Sequence, residues 1–252
     1  MDREFRRVVP AADTAVLFIH GIVGTPRHFD DLIPLLPDTV SVHNLLLAGH
    51  GGSARDFARA SMREWETQVE AAIAALAKTH PHIYIVAHST GALLSIEAAL
   101  HHKEVEKLFL LAVPLRIALT PAMARNSWKV YRGNIAPNDH AALAAQRCCG
   151  VAQTKNPLPY LGWIPRFLEL FSKIRAVRKL LVKLTTPSLA VQSMKDELVS
   201  PRAMDELRRN PHIALLPLPH SGHYYYPPDD KAALHEAFTA FLTPYHKNLP
   251  LC

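Results

Sequence analysis

The chain has 252 residues, 49% hydrophobic and 20% charged, which is enough apolar material for one sizeable core and too balanced a mixture for disorder or a small stapled scaffold. Its three cysteines exclude a disulfide framework, because Cys148 and Cys149 are adjacent and Cys252 is the last residue, and a reducing compartment fits best. The formal charge of +6 raises nucleic acid or anionic membrane as partners, but the charge is concentrated. Between Pro114 and Thr186 twelve basic residues stand against two acids, and the remainder of the chain is mildly acidic. Met1 to Pro10 alternates charges with single apolar residues and is not expected to be a secretory signal. No run reaches membrane-spanning length, so the expected address is cytoplasmic.

From Thr14 onward, short apolar runs alternate with stretches of helical spacing, the pattern of βαβ units around a parallel sheet. Ala15 to Ile19 predicts a strand, then His20-Gly21-Ile22-Val23-Gly24 a glycine turn, then His28 to Leu36 a helix. The next strand, Val40 to Leu47, leads into Ala48-Gly49-His50-Gly51-Gly52-Ser53. Ser61-Met62-Arg63-Glu64 reads as a capping box, after which Met62, Trp65, Val69, Ile73 and Leu76 form one apolar stripe. The strand His82 to Ala87 runs through His88-Ser89-Thr90 into a helix from Gly91 to His101, and Val105 to Val113 predicts the following strand.

The alternation stops at Pro114 and resumes at Pro187. The segment between them holds Trp128, Tyr131, a Pro-rich stretch from Asn156 to Pro165, and an amphipathic helix from Pro165 to Leu184. That helix has Phe167, Leu170, Phe171, Ile174, Val177, Leu181 and Leu184 on its apolar side. An insertion after a strand's carboxyl end lies over the crevice where open α/β sheets bind ligands. Residues 114–186 are therefore read as a cap on a core made of 1–113 and 187–252. The basic face of the helix has two readings: steering of anionic substrates or contact with an acidic membrane, or, more plainly, a solvated face. Strands Ser188 to Gln192 and Ile213 to Leu218 complete the sheet, with helices Pro201 to Arg209 and Asp230 to Leu242. Pro201 suits a first helical position.

Ala87-His88-Ser89-Thr90-Gly91 lies where a strand ends and a helix begins, the context of a nucleophile elbow, with Ala87 where G-x-S-x-G has glycine. Ser89 is the candidate nucleophile, set against the plainer reading of a helix N-cap. The glycine turn places the N–H of Ile22, together with that of Thr90, to face a developing oxyanion. A serine needs a histidine base and a carboxylate to orient it. The candidates in strand order are Asp196, with Glu197 and Asp205 as fallback acids, and His223, with His220 as rival. His88 points elsewhere than Ser89 if the strand alternation holds, while His20 and His50 read as loop-structuring partners. No zinc-ligand spacing and no nucleotide loop occurs, so no metal or cofactor is expected. Cys148 and Cys149 read as packed thiols.

Leu17-Phe18-Ile19-His20-Gly21, Ala48-Gly49-His50-Gly51-Gly52-Ser53, the Ser89 elbow, Lys195-Asp196-Glu197-Leu198-Val199 and Ser221-Gly222-His223 together resemble the α/β-hydrolase family. The likeness is greatest to its capped carboxylesterase and monoacylglycerol lipase branch. The resemblance implies the α/β-hydrolase fold, a mostly parallel sheet flanked by helices, with Ser89, Asp196 and His223 as triad and acyl-enzyme chemistry without cofactor. Two departures stand out: Ala87 in the elbow, and an amino terminus with little room for the family's leading hairpin, so that edge is expected to be reduced or absent.

The implied activity is ester hydrolysis on a small-molecule substrate with a short to medium acyl chain or an aryl group. Ile22, Val23, Trp128 and Tyr131 are expected around the substrate, and Tyr224, Tyr225 and Tyr226 at the site mouth or in core packing. Thioester cleavage and acyl transfer are rivals on the same triad. A ligand receptor on the same fold is a rival from another class, against which the complete Ser-Asp-His set argues. Nucleic acid is not expected as a partner, since the basic segment holds no recognisable module. Oligomeric state is not legible.

Overall fold

The structure, a computed structural model, describes residues 3–118 and 120–243. Its strands are β1 (Phe5–Arg7), β2 (Thr14–Ile19), β3 (Ser41–Leu45), β4 (His82–His88), β5 (Val105–Leu111), β6 (Ser188–Ser193) and β7 (Ile213–Leu218). They form one seven-stranded sheet in the order β1-β3-β2-β4-β5-β6-β7. Every neighbouring pair is parallel except β1 with β3. The leading edge is thus reduced to three residues.

Buried parallel strands need helices on both faces, and the alternation along β2 and β4 divides their side chains between two cores. Leu17, Ile19, Ile83, Ile85 and Ala87 face α1 (Ala54–Arg59), α2 (Met62–Leu76) and α3 (Thr90–Ala99). Val16, Phe18, Tyr84 and Val86 face Phe29 and the final helix α9 (Pro228–Leu242), whose Leu234 and Phe238 complete the second core. No helix of the described residues is long and apolar enough to cross a membrane.

Three local expectations change. The helix expected over His28 to Leu36 is two short 3-10 turns, Pro26–Phe29 and Ile33–Leu35, because Pro34 would clash with the preceding turn of an α-helix and supplies no N–H. The capping box expected at Ser61 forms in one direction, with Ser61 Oγ accepting from Glu64 N–H; the reciprocal box is at Ser53 and Asp56. The helix expected from Pro201 shortens to α8 (Ala203–Leu207).

Between β5 and β6 lie α4 (Pro121–Arg132), α5 (His140–Arg147), α6 (Leu158–Leu161) and α7 (Ile164–Leu180). Buried polar contacts tie α7 to the sheet's own helices. Lys173 is 8% exposed and pairs with Glu66 of α2 and Glu97 of α3. Burial works against its charge, but the two carboxylates hold its pKa above the usual lysine value. Trp163 Nε1–H donates to the Ala54 carbonyl at 2.9 Å, and Met62 N–H to Glu169 Oε2 at 3.0 Å. Leu170, Ile174, Val177, Leu181 and Leu184 are buried as the pattern predicts. Phe167 and Phe171 remain partly exposed because they face a cavity rather than the core.

Candidate active site

The parallel strands deliver their carboxyl ends to one edge, where the candidate residues meet. At the end of β4, Ser89 has φ +52° and ψ −118°, a left-handed conformation that residues with a Cβ seldom adopt. The turn is held from both sides. Ser89 N–H donates to the Leu111 carbonyl at 2.9 Å, and α3 packs so close on β2 that a Cβ on Gly91 would lie 2.2 Å from the Ile19 carbonyl oxygen. The methyl of Ala87 is fully buried at the position where the motif ordinarily has glycine.

Asp196 sits in the loop after β6. Its Oδ1 accepts the N–H groups of Leu198 and Val199, each at 2.8 Å, which fixes the carboxylate before it meets the histidine. His223 Nδ1–H donates to Asp196 Oδ2 at 2.8 Å, with Oδ1 at 3.1 Å. With the proton on Nδ1, the Nε2 of a neutral ring keeps a lone pair. Ser89 and His223 line the same cavity of about 470 Å³. Among the described residues no hydrogen bond joins Ser89 Oγ to the ring, a contact that catalytic pairs often tighten only with substrate bound.

The fallback acids lie elsewhere. Glu197 reaches the loop rather than the ring: its Oε2 accepts the backbone N–H of His223 at 2.9 Å, and its Oε1 accepts from Asn126 Nδ2 at 3.4 Å. Asp205 pairs with Arg208. The rival His220 gives its backbone N–H to Asp230 and does not line the cavity.

The glycine turn after β2 runs beside the elbow, since a Cβ on Gly21 would be 2.9 Å from the Ser89 Cβ. Among the described residues, neither Ile22 N–H nor Thr90 N–H donates to a protein acceptor. Val23 adopts φ +58°, a strained choice for a β-branched residue, and its carbonyl accepts the Gly150 N–H at 2.8 Å. Only glycine fits at 150, where a Cβ would lie 1.9 Å from the Gly24 carbonyl oxygen. The segment following α5 therefore braces the turn from outside.

Behind the site lies a cluster of histidines from separate segments. His88 turns away from the cavity, and its Nε2–H donates to the His223 carbonyl at 3.2 Å. His28 stacks on it with ring centroids 3.7 Å apart, and both His28 nitrogens are buried without a partner among the described residues. Burial, helped by the nearby His223, lowers the pKa of His28 to about 3. His20 Nδ1–H donates to the Gly21 carbonyl while its Nε2 accepts the Leu47 N–H, and His50 donates from Nδ1 to the carbonyls of its own loop. Both therefore structure loops, as the sequence suggests.

Ile22 and Val23 line the cavity; Trp128 and Tyr131 do not. Those two rings stack on each other at 5.7 Å and Trp128 is 55% exposed. The opposite face of α4, with Met123, Asn126 and Val130, forms the wall instead, and Trp163 supplies the tryptophan. Tyr224 lines this cavity, whereas Tyr225 and Tyr226 line a neighbouring one. Cys148 is buried and Cys149 partly so; burial pushes the Cys148 pKa up to about 12, which leaves it a packing residue. Cys252 lies outside the described residues.

Residues 16–237 match the model of the alpha/beta hydrolase family, and the chain belongs to that family. No curated protein matches it in sequence. Among solved structures it is similar to a metagenome-derived lipolytic enzyme described with LipS and LipT, at 19% identity and a TM-score of 0.71, over 95% of this chain and 96% of that one. It is similar to the monoacylglycerol lipase of Paleococcus ferrophilus at 16% identity and a TM-score of 0.69, over 95% and 98%. It is also similar to a thioesterase domain of the curacin biosynthetic pathway at 17% identity and a TM-score of 0.60, over 93% and 94%. At these identities the likeness establishes the fold.

Proposed function

We propose that the protein is a serine hydrolase of carboxylic esters, with Ser89 as nucleophile, His223 as base, Asp196 as its orienting acid, and the N–H groups of Ile22 and Thr90 as oxyanion hole. The observation that carries this reading is the pairing of Asp196 with His223 Nδ1 on a cavity into which a strained serine also opens. Ser89 Oγ attacks the ester carbonyl as His223 Nε2 takes its proton. The negative oxygen collects beside the two N–H groups, and His223 then protonates the departing alcohol. Water, deprotonated by the same ring, hydrolyses the acyl-enzyme.

The cavity volume lies in the range typical of small-molecule sites, and its lining by Met123, Val130, Phe167 and Leu170 suits a short to medium acyl chain or an aryl group. A monoacylglycerol or simple carboxylic ester is the first expectation, with thioester hydrolysis the alternative supported by the likeness to a thioesterase domain. Residues 114–186 act in this reading as the cap that excludes water. The adjacent Cys148 and Cys149, which do not make a disulfide framework, fit a cytoplasmic address.

A fluorophosphonate probe tests the assignment. Wild type is expected to be labelled and to turn over p-nitrophenyl esters with a chain-length optimum, while Ser89→Ala loses both. A folded wild type that takes no label and turns over no ester would promote the receptor reading. Peripheral contact with an anionic membrane belongs to the same proposal: Leu158, Leu161, Ile164 and Leu168 are each more than half exposed and precede the basic face carrying Arg175, Lys179 and Lys183. Co-sedimentation with anionic but not zwitterionic vesicles is expected, weakened by Leu161→Ser/Leu168→Ser; equal pelleting of wild type and variant would remove this element.

A further inference from the structure

The cavity holding Ser89 does not close at its outer end. It shares Ile117 and Phe171 with a second, open cavity of about 590 Å³ whose rim carries Arg116, Arg175, Arg178 and Arg202. Arg116 and Arg178 come from opposite sides and clip the same carboxylate, Nε of each to one oxygen of Glu206 at 2.6 Å. Both contacts use Nε. The terminal nitrogens of these guanidiniums make no hydrogen bond among the described residues, and Glu206 holds them in a fixed pose. Arg175 and Arg202 have no carboxylate partner among the described residues. Four positive charges therefore surround one cavity against a single carboxylate, directly outside an apolar pocket.

This composition selects a ligand. The inner cavity is lined mainly by apolar side chains and takes the acyl chain, so the leaving group runs outward past Ile117 and Phe171. A carboxylate there would bring one negative charge to an excess of three, whereas a phosphate monoester brings nearly two charges and three acceptor oxygens in the geometry that planar guanidiniums bind bidentately. Resting on the serine hydrolase reading above, we propose that the natural substrate is an acyl ester or thioester whose leaving group carries a phosphate, held by Arg116, Arg175, Arg178 and Arg202 while Ser89 attacks the acyl carbon. The Ser89 Oγ–acyl bond forms as the bond from the acyl carbon to the leaving oxygen or sulfur breaks. His223 returns the proton to that atom, and water releases the carboxylic acid. The products are a carboxylate and a phosphorylated alcohol or thiol, and the phosphate itself does not react.

The test compares three substrates of one acyl length, below micelle-forming concentration: a 1-acylglycerol, its 3-phosphate and an acyl-coenzyme A. In the wild type, kcat/KM is expected to be about tenfold or more higher for a phosphate-bearing substrate, and the advantage is expected to shrink at about 0.5 M salt. In Arg175→Gln/Arg202→Gln, two exposed replacements that leave the Glu206 clip in place, the ratio of phosphorylated to plain ester falls toward one. Preference for the glycerol phosphate ester alone identifies a lipid headgroup, and preference for the coenzyme A ester alone a soluble thioester. Equal kcat/KM across the set in the wild type, or a preference that survives the double variant, overturns the proposal. Calorimetric titration with inorganic pyrophosphate separates the two readings. Binding that the variant loses, in a protein that turns over none of the three, sinks the hydrolase and keeps the anion site; equal turnover without pyrophosphate binding does the reverse.

Discussion

An Asp196→Asn variant is expected to hydrolyse esters about 10⁴-fold more slowly than wild type at neutral pH while melting at nearly the same temperature. The reason lies in what surrounds the carboxylate. Oδ1 is committed to the N–H groups of Leu198 and Val199, so an asparagine in this place keeps its carbonyl oxygen toward them and turns its NH₂ toward His223. An NH₂ group donates; it faces Nδ1 only if that nitrogen is bare, and the proton then moves to Nε2. A ring with its proton on Nε2 cannot accept the hydroxyl proton of Ser89. Glu197→Gln provides the contrast. Its contact is with the backbone N–H of His223, which an amide oxygen accepts as well, so a loss within about tenfold is expected, consistent with a positioning rather than a proton-orienting role. The measurement is kcat on p-nitrophenyl esters for both variants, beside thermal melts. A near-normal Asp196→Asn with a crippled Glu197→Gln would transfer the acid's role to Glu197.

The elements that bear on this chemistry were readable because each depends on its own neighbours in the chain. The elbow is a strand of β-branched residues followed by a small-Ser-small turn, and the order Ser89, Asp196, His223 follows the order of the strands. What sequence could not show depends on side-chain direction across the fold. Glu197 stood one residue from Asp196 with the same chemistry, and only the turn of the loop decides that it meets a backbone N–H and not the ring. Trp128 and Tyr131 were expected at the substrate as apolar residues of the segment between Pro114 and Pro187. The face of α4 that does line the cavity carries Met123, Asn126 and Val130, which announce nothing by type. Pro34 was visible, and the rule against proline inside a helix would have split the element expected over His28 to Leu36. Gly150 looks like a loop glycine until Gly24 is seen against it. Likewise His20, His28, His50 and His88 come from four segments, and no spacing in one dimension reveals that they share one buried layer.

That layer leads to a second large expected effect, a steep loss of stability in mild acid. Burial lowers the pKa of His50 to about 4 and of His28 to about 3, and holds His20 and His88 well below the ordinary 6.5. Above pH 6.5 these rings are neutral in both folded and unfolded chains and leave stability independent of pH. As pH falls below 6.5 the unfolded chain binds protons that the folded chain refuses, so stability falls, and it goes on falling until the folded pKa is reached. At pH 5 His28 and His50 together remove about 4 kcal/mol from a total that for most domains is only about 5–15 kcal/mol, and His20 and His88 act in the same direction. The carboxylates with lowered pKa, Glu4, Asp31, Asp56 and Asp139, act in a lower window, since their contribution is present above the usual carboxylate range and is lost only below it. Urea unfolding between pH 8 and pH 5 is therefore expected to show a midpoint that is level down to about pH 6.5 and then drops. His50→Gln, which keeps a donor for the carbonyls of Leu47 and Ala48, is expected to drop less steeply by about one proton. A midpoint that stays level to pH 5 would mean that these rings take up protons in the folded state.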